Sequence, residues 1–91
     1  MKRGRSGREW AIAYFRKVYG DKLVGKSDDD LLEMNYFDNG LVDSLGVVTL
    51  ILSAEEHFGI SLGQTQFDDP RFQVIGGLGD IIENIVGASG K

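Results

Sequence analysis

The sequence has no cysteine, a single histidine and a single proline among its 91 residues. The lack of cysteine excludes disulfide bonds and thiolate metal sites, and His57 alone is too little for a histidine-rich metal site. No apolar run approaches the roughly 20 residues of a membrane span, and no apolar segment long enough for a signal peptide follows the amino-terminal basic residues. We therefore expect a cytoplasmic protein without metal or membrane insertion, held together by packing alone.

Charge is spread unevenly along the chain. Residues 1–26 contain eight Lys or Arg and two acidic residues, whereas residues 27–91 contain twelve acidic residues and only two basic ones. A nucleic-acid-binding protein needs a basic face on its folded part to neutralise phosphates, which this acidic body does not offer. We expect no nucleic-acid partner, and the acidic body favours basic protein partners.

Length and composition predict one small globular domain. With 91 residues, 42% of them apolar, the chain suits a single core and is too short for two lobes with a cleft between them. Residues 1–7 are rich in Gly, Ser and Arg, so we expect a flexible basic tail there and a second flexible tail at residues 87–91. The domain itself is expected over residues 8–86, as a monomer.

The sequence of the first half of the domain predicts one helix followed by a long loop. The helix covers residues 8–19 and ends at Gly20, and its apolar face consists of Ile12, Phe15, Val18 and Tyr19. Residues 21–42 predict a loop with room for a short helical turn after Ser27. Because a compact domain keeps so long a loop only when it is anchored, we expect the anchors to be Leu31, Leu32, Met34, Tyr36 and Phe37.

The sequence of residues 44–58 predicts the longest helix. When its residues are placed at 100° intervals around the helix axis, the apolar ones form two stripes. The core stripe consists of Val47, Leu50, Ile51, Ala54 and Phe58. The second stripe, here called the outer stripe, consists of Leu45, Val48 and Leu52. A helix in so small a domain has one side to bury, so the outer stripe favours a docking surface over a fully wrapped helix. Gly59 is expected to end the helix.

The sequence of residues 64–86 predicts two more helices. Pro70 limits residues 64–72 to a short helix. A last helix is expected over residues 74–86, with an apolar face of Val74, Leu78, Ile81 and Ile85, flanked by Ile75 and Ile82. Three glycines in its first half cost about 2–3 kcal/mol of helix stability, so that half is either loose or close against another backbone or an attached chain. The predicted fold class is an all-α four-helix bundle with a long loop between helices 1 and 2 and a short third helix.

Asp43 and Ser44 stand where the long loop ends and the long helix begins. The amino end of a helix has free N–H groups and the positive end of the helix dipole, so it suits a group that becomes a phosphodiester. Simple capping of the helix explains an Asp-Ser pair equally well. These residues alone leave both interpretations open.

The wider segment around Ser44 resembles a known motif. Residues 37–45, Phe-Asp-Asn-Gly-Leu-Val-Asp-Ser-Leu, are similar to the phosphopantetheine attachment motif of acyl carrier proteins, with Asp-Ser-Leu at the centre. Residues 55–60, Glu-Glu-His-Phe-Gly-Ile, resemble the end of that family's second helix, and the predicted order of helices over residues 8–86 agrees with it. Motif, spacing and helical layout together carry the resemblance.

The resemblance implies a carrier protein that is not itself an enzyme. A phosphopantetheinyl transferase, with Mg²⁺, would direct the Ser44 hydroxyl to the pyrophosphate of coenzyme A and leave a 4'-phosphopantetheine arm on the protein, and Asp43 would lie near that Mg²⁺. The thiol of the arm would hold an acyl or aminoacyl group as a thioester. Adenylating ligases and acyltransferases or synthases would act on it. The outer stripe would supply apolar contacts with these partners, and the acidic contacts would be Glu55 and Glu56.

Several positions depart from fatty-acid carriers. Thr49 stands where many of those proteins have an acidic residue, which makes a standard role in fatty-acid synthesis doubtful. Three other features are closer to D-alanyl and other aminoacyl carriers and to specialised stand-alone carriers. They are Gly46 after the Asp-Ser-Leu run, Phe37-Asp38-x-Gly40 before it, and Phe67-Asp68 after the second helix. The resemblance therefore favours an aminoacyl or specialised carrier.

Other functions fit the sequence less well. A serine hydrolase would need a base beside Ser44, but His57 lies 13 residues further along the same helix, about 20 Å away by helical rise; we expect His57 to face solvent. The Asp28–Asp30 run and residues 38–40 lack the ligand spacing of a calcium loop. The remaining alternative is an unmodified, carrier-like helical module that serves only protein interaction.

Overall fold

A computed structural model of the chain describes residues 6–89, with side chains through residue 87. In this range the chain forms five α-helices: α1 (Gly7–Tyr19), α2 (Asp28–Leu32), α3 (Ser44–Phe58), α4 (Gln64–Phe67) and α5 (Ile75–Ser89). Two 3₁₀ turns cover Gly20–Lys22 and Pro70–Gln73. The described residues contain no strand, only an isolated bridge between Asn35 and Val74. The predicted all-α fold is confirmed, and none of the helices described is long and apolar enough to cross a membrane.

Helix α1 begins one residue before its predicted start. The Ser6 hydroxyl accepts a hydrogen bond from Glu9 N (3.1 Å), and the Glu9 carboxylate accepts one from Ser6 N (3.1 Å). This reciprocal capping satisfies two N–H groups that a helix end otherwise leaves free. Ser6 and Gly7 thus belong to the folded domain, and the boundary predicted at residue 8 is too late. The rest of the predicted tail, residues 1–5, lies outside the described residues.

The buried face of α1 differs from the predicted one. Trp10, Ala11 and Phe15 are buried, whereas Val18 is 50% exposed. Helix α1 packs along α5, where Gly79 lies against Arg8. The Trp10 ring lies 5.8 Å from that of Phe58 in α3, and this packing leaves Val18 at the surface. The prediction was wrong for Val18 and omitted Trp10, because several apolar residues of α1 fit a helical stripe and only the packing partner selects among them.

The loop between α1 and α3 is anchored at several points. Its buried side chains are Leu23, Leu31, Tyr36 and Val42, so the predicted anchors Leu31 and Tyr36 are confirmed. Phe37 is 44% exposed and does not anchor the loop. The Tyr36 hydroxyl donates to the carbonyl oxygen of Phe72, and Tyr36 N donates to Gln73 O (3.1 Å). These bonds hold the loop against the segment that leads into α5.

Helix α5 is a core element, and the glycines of its first half allow close packing. Its buried apolar residues are Ile75, Leu78, Ile81 and Ile82. A Cβ atom on Gly79 would lie 2.7 Å from the Arg8 backbone, and one on Gly76 would lie 2.7 Å from the Leu32 carbonyl oxygen. Of the three alternatives that the sequence left open, close approach to another backbone is the one that the structure shows.

The ends of α5 differ slightly from the prediction. Val74 has extended backbone angles (φ −110°, ψ 136°) and precedes the helix instead of starting it. The helix continues through Gly87 to Ser89, three residues past the predicted end. Residues 90 and 91 of the predicted flexible tail lie outside the described residues.

Candidate functional site

Helix α3 places Ser44 at its first position. Asp43 is the N-cap residue, in extended conformation (φ −93°, ψ −177°), and its Oδ1 accepts a hydrogen bond from Gly46 N at 2.8 Å. Asp43, Ser44 and Leu45 are all exposed. The sequence placed this helix start correctly, because an Asp cap followed by a regular apolar period is a local signal.

The loop before α3 is held firmly enough to define where Ser44 lies. Gly40 has a positive φ of 78°, which a residue with a side chain rarely adopts. Val42 is buried, and its N–H donates to the carbonyl oxygen of Tyr36 (3.0 Å). The chain therefore enters α3 from a buried anchor two residues before Ser44, and the Ser44 hydroxyl is presented to solvent.

The amino end of α3 fits a covalently attached phosphodiester. Gly46 N is bound by Asp43, and Val47 N donates to the Asp43 carbonyl oxygen (2.9 Å). The N–H groups of Ser44 and Leu45 make no hydrogen bond within the part of the chain that is described. Free N–H groups and the positive end of the helix dipole favour a phosphate at this point.

Tyr19, the last residue of α1, reaches the same end of α3. A Cβ atom on Gly46 would lie 3.0 Å from the Tyr19 hydroxyl oxygen and 3.3 Å from Asp43 Oδ1. Partial burial, followed by the negative charge of Asp43, raises the pKa of Tyr19 above its ordinary value. Sequence reasoning assigned Tyr19 to the core face only, since no local signal shows that the end of α1 meets the start of α3.

The outer stripe lies on the surface, as predicted. Leu45, Val48 and Leu52 are 75%, 50% and 59% exposed, whereas Leu50 and Ala54 on the opposite side of α3 are buried. The rest of the predicted core stripe, Val47, Ile51 and Phe58, is partly buried against the core. Three apolar side chains on the side of α3 that starts at Leu45 are thus not covered by any of the described residues.

The structure separates the two predicted acidic contacts. Glu55 is half-buried, and its Oε2 accepts a hydrogen bond from Leu62 N (2.8 Å), which ties the connector after α3 back onto the helix. Glu56 is exposed. Glu56 lines an open groove of about 610 Å³ between α1 and α3, together with Tyr14, Lys17, Thr49 and His57. Glu56 is therefore free to meet a partner, whereas Glu55 has an internal bond.

His57 lies at the far end of α3 from Ser44. It is exposed, as expected, and its ring lies 4.7 Å from that of Phe58 and 6.1 Å from that of Trp10. Among the described residues no group of three or more His, Cys, Asp or Glu side chains is placed to hold a metal ion.

A small apolar cavity beside α3 was not predicted from the sequence. Its volume is about 240 Å³, and it is lined by Tyr36, Phe37, Val47, Ile51, Phe67, Phe72 and Gln73. Phe37 and Phe67, two of the residues that resemble aminoacyl carriers, lie at its wall. The lining comes from the loop, α3, α4 and the second 3₁₀ turn, so only the tertiary structure assembles it.

Comparison with known proteins places the chain in a family. The family described as "Phosphopantetheine attachment site" matches residues 21–82, which is more than half of the chain and includes Ser44. The comparison with solved structures found no match.

Similar curated proteins are named D-alanyl carrier protein. The one from Lactobacillus helveticus is 39% identical over 46 residues, 50% of this chain and 58% of that protein. The one from Bacillus licheniformis is 41% identical over 57 residues, 63% and 68% of the two chains. The one from Leuconostoc mesenteroides is 26% identical over 80 residues, 88% and 96% of the two chains. The match with the first of these spans little more than half of that relative's length.

The family match and the helical fold agree with the expectation from the sequence, and they confirm the predicted cofactor. This chain belongs to the family of phosphopantetheine-dependent carrier proteins, which bear a covalently attached 4'-phosphopantetheine.

Proposed function

We propose that this chain is an acyl or aminoacyl carrier that bears its 4'-phosphopantetheine arm on Ser44 and presents a thioester-linked group to partner enzymes. The observation that carries the proposal is the position of Ser44: an exposed serine, first in α3, directly after the capping Asp43 and inside the matched segment. The arm, when bound, supplies the thiol on which the group is carried. The chain supplies the attachment point and the surface that partners recognise.

The residues around Ser44 support attachment there. The hydroxyl is accessible, so a transferase is able to reach it without unfolding α3. The N–H groups at the start of the helix favour the negative charge of a phosphodiester by about 0.3–1 kcal/mol. Asp43 has Oδ1 fixed by Gly46 N and its other carboxylate oxygen free to approach the Mg²⁺ that a phosphopantetheinyl transferase brings. Asp43 thus caps the helix and faces the transferase at the same time.

Partner enzymes would dock on the outer stripe. Leu45, Val48 and Leu52 form an uncovered apolar surface beside Ser44, and exposed apolar side chains grouped in this way mark interaction sites. Glu56 adds a negative charge that suits a basic partner surface. Glu55 was also predicted to contact partners; its bond to Leu62 N leaves one carboxylate oxygen for such a contact. The proposed partners are the transferase, an adenylating ligase, and an acyltransferase or synthase.

We further propose that the carried group is an aminoacyl group, of which D-alanine is the first to test. The names of the similar curated proteins support this, as do Gly46 and Thr49 in α3. A ligase chooses the group that is loaded, so recovery of the loaded protein from its native host tests the proposal directly. An aminoacyl thioester is the expected finding, and long acyl chains would reject it.

The attachment on Ser44 is tested in vitro with the full chain. The purified protein is incubated with coenzyme A, Mg²⁺ and a broad-specificity phosphopantetheinyl transferase, and its mass is measured. We expect a gain of one phosphopantetheine arm in the wild-type protein and none in Ser44→Ala, with both proteins equally folded by circular dichroism. A wild-type protein that several transferases leave unmodified would support the unmodified interaction module instead. Unfolding of Ser44→Ala would mean that Ser44 is mainly structural.

A further inference from the structure

We propose that Tyr19 is a positioning residue for the attachment reaction, because its hydroxyl group closes the open face of Gly46 and keeps the Asp43 carboxylate in place beside Ser44. The inference rests on the proposed attachment at Ser44. It adds a residue from α1 to an attachment site that the sequence assigned to Asp43 and Ser44 alone.

The geometry brings three side chains to one point above Gly46. A Cβ atom on Gly46 would lie 2.9 Å from Val42 Cγ1, 3.0 Å from the Tyr19 hydroxyl oxygen and 3.3 Å from Asp43 Oδ1. These distances are tighter than ordinary van der Waals contacts of about 3.5–4.0 Å. The space that a side chain would occupy is therefore already filled from α1, from the loop and from the cap.

Tyr19 is well placed to fill this space permanently. It is half-buried at the end of α1, and its ring packs on that of Phe15, with ring centroids 5.7 Å apart. Phe15 is fully buried in the core. The position of the Tyr19 hydroxyl is thus set by the core, whereas Asp43 and Ser44 are exposed.

Asp43 needs such support because little else holds it. Its carboxylate has one hydrogen bond within the described part of the chain, from Gly46 N at 2.8 Å. An exposed side chain with a single bond keeps much of its rotational freedom, which costs free energy when a partner must bind one conformation. The Tyr19 hydroxyl oxygen and Asp43 Oδ1 lie 3.0 Å and 3.3 Å from the same point above Gly46, so the hydroxyl limits the space into which the carboxylate turns. Burial and the charge of Asp43 both raise the pKa of Tyr19, so the hydroxyl stays neutral beside the carboxylate.

This arrangement also explains glycine at position 46. Any side chain there would push the Tyr19 hydroxyl or the Asp43 carboxylate away. Intrinsic helix propensity favours alanine over glycine by about 1 kcal/mol at an ordinary helical position, so the glycine is retained against a local preference. The contacts that Val42 from the loop and Tyr19 from α1 make with the start of α3 supply the reason.

The test uses the full chain with coenzyme A, Mg²⁺ and a broad-specificity phosphopantetheinyl transferase. Tyr19→Phe removes only the hydroxyl and keeps the ring on Phe15. We expect kcat/KM for modification to fall about fivefold and the Mg²⁺ concentration for half-maximal rate to rise about threefold, because the carboxylate that approaches the metal is less restricted. Tyr14→Phe is the matched control: this tyrosine is also on α1, but its hydroxyl faces Ser53. We expect its kinetics to equal those of the wild-type protein.

A double-mutant cycle separates positioning from a general loss of structure. Gly46→Ala should reduce kcat/KM in the wild-type background and reduce it less in the Tyr19→Phe background, where the missing hydroxyl removes one of the two closest contacts of the methyl group and only that of Val42 remains as close. Tyr19→Phe with wild-type kinetics and an unchanged Mg²⁺ requirement would overturn this inference while Ser44 is still modified. Additive effects of the two substitutions would overturn it as well. A wild-type protein that is not modified at all would overturn the proposed function, and this inference with it.

Discussion

Gly79 of α5 and Arg8 of α1 lie backbone against backbone, so that a Cβ atom on Gly79 would stand 2.7 Å from Arg8 Cα. The atoms near this Cβ position are backbone atoms of a helix, which cannot move aside as the end of a flexible side chain does. The glycine that weakens α5 on propensity grounds is therefore the residue that lets α1 and α5 approach.

Gly79→Ala should destabilise the protein. Forcing a methyl group against the Arg8 backbone costs about 1–3 kcal/mol, and this exceeds the gain of up to about 1 kcal/mol in helix propensity. Gly87→Ala is the matched control in the same helix, because a Cβ atom on Gly87 has nothing within 4 Å. Urea denaturation should show a lower free energy of unfolding for Gly79→Ala and an equal or higher one for Gly87→Ala. Equal stability of the two variants would contradict the close approach.

The ion pair between Arg8 and Asp80 predicts a pH-dependent contribution to stability. Its nitrogen and oxygen lie 2.8 Å apart, and the hydrogen bond from Arg8 holds the pKa of Asp80 below the ordinary value of 3.8. A lowered pKa in the folded state means that the contribution is present above the unfolded-state pKa and is lost as the pH falls through the folded-state pKa. Both side chains are more than a third exposed, so solvent limits the contribution to about 1 kcal/mol or less.

The measurement compares Asp80→Asn with the wild-type protein by urea denaturation at about pH 7 and about pH 3. At about pH 7 the wild-type protein should have a higher free energy of unfolding than Asp80→Asn, and this difference between the two proteins should be smaller at about pH 3. Asp29→Asn serves as the control, since Asp29 is exposed and makes no ion pair within the described residues. A difference that grows as the pH falls would have the wrong sign for this pair.

Adjacent glutamates of α3 should respond differently to substitution. Glu55→Ala removes the acceptor for Leu62 N and should lower the free energy of unfolding by about 1–2 kcal/mol, whereas Glu55→Gln keeps an acceptor and should recover most of it. Glu56→Gln should leave stability within about 0.5 kcal/mol of wild type and instead raise the KM of a basic partner enzyme. Thermal unfolding and transferase kinetics measure the two effects. Loss of stability in Glu56→Gln would contradict this division.

The two apolar stripes of α3 should also separate in experiment. Leu52→Ala, on the outer stripe, should change stability by no more than about 0.5 kcal/mol and reduce kcat/KM for modification by the transferase about tenfold. Leu50→Ala, on the buried side, should lower the free energy of unfolding by about 2–4 kcal/mol. The pair is a matched comparison because both change leucine to alanine in the same helix. A large loss of stability in Leu52→Ala would mean that the outer stripe belongs to the core.

Local signals explain why α3 could be predicted well. Asp43 caps it, its apolar residues repeat with helical spacing, and Gly59 ends it with a positive φ of 68°. Each of these signals acts over one helical turn, so it is readable from neighbouring residues. The short α2 after Ser27 follows the same rule, because Ser27 and Asp30 cap it reciprocally.

Contacts between distant segments could not be predicted in this way. Val18 was expected in the core and lies at the surface, because the packing of α1 against α3 and α5 buries Trp10, Ala11 and Phe15 instead. Glu55 was expected only as a partner contact, and its bond to Leu62 N depends on how the chain returns after Gly59. The apolar cavity near Phe37 and Phe67 combines four segments of the chain.

The amino-acid sequence by itself determined the helical fold class, the long α3 with its exposed outer stripe, and Ser44 at its first position, since caps and apolar periods act within a few residues. Only the tertiary structure decided which side of α1 is buried, that Gly79 lies against the Arg8 backbone, and that Tyr19 and Asp43 meet above Gly46. These features depend on residues that are far apart in the chain, and they follow from close packing between helices and not from any local preference.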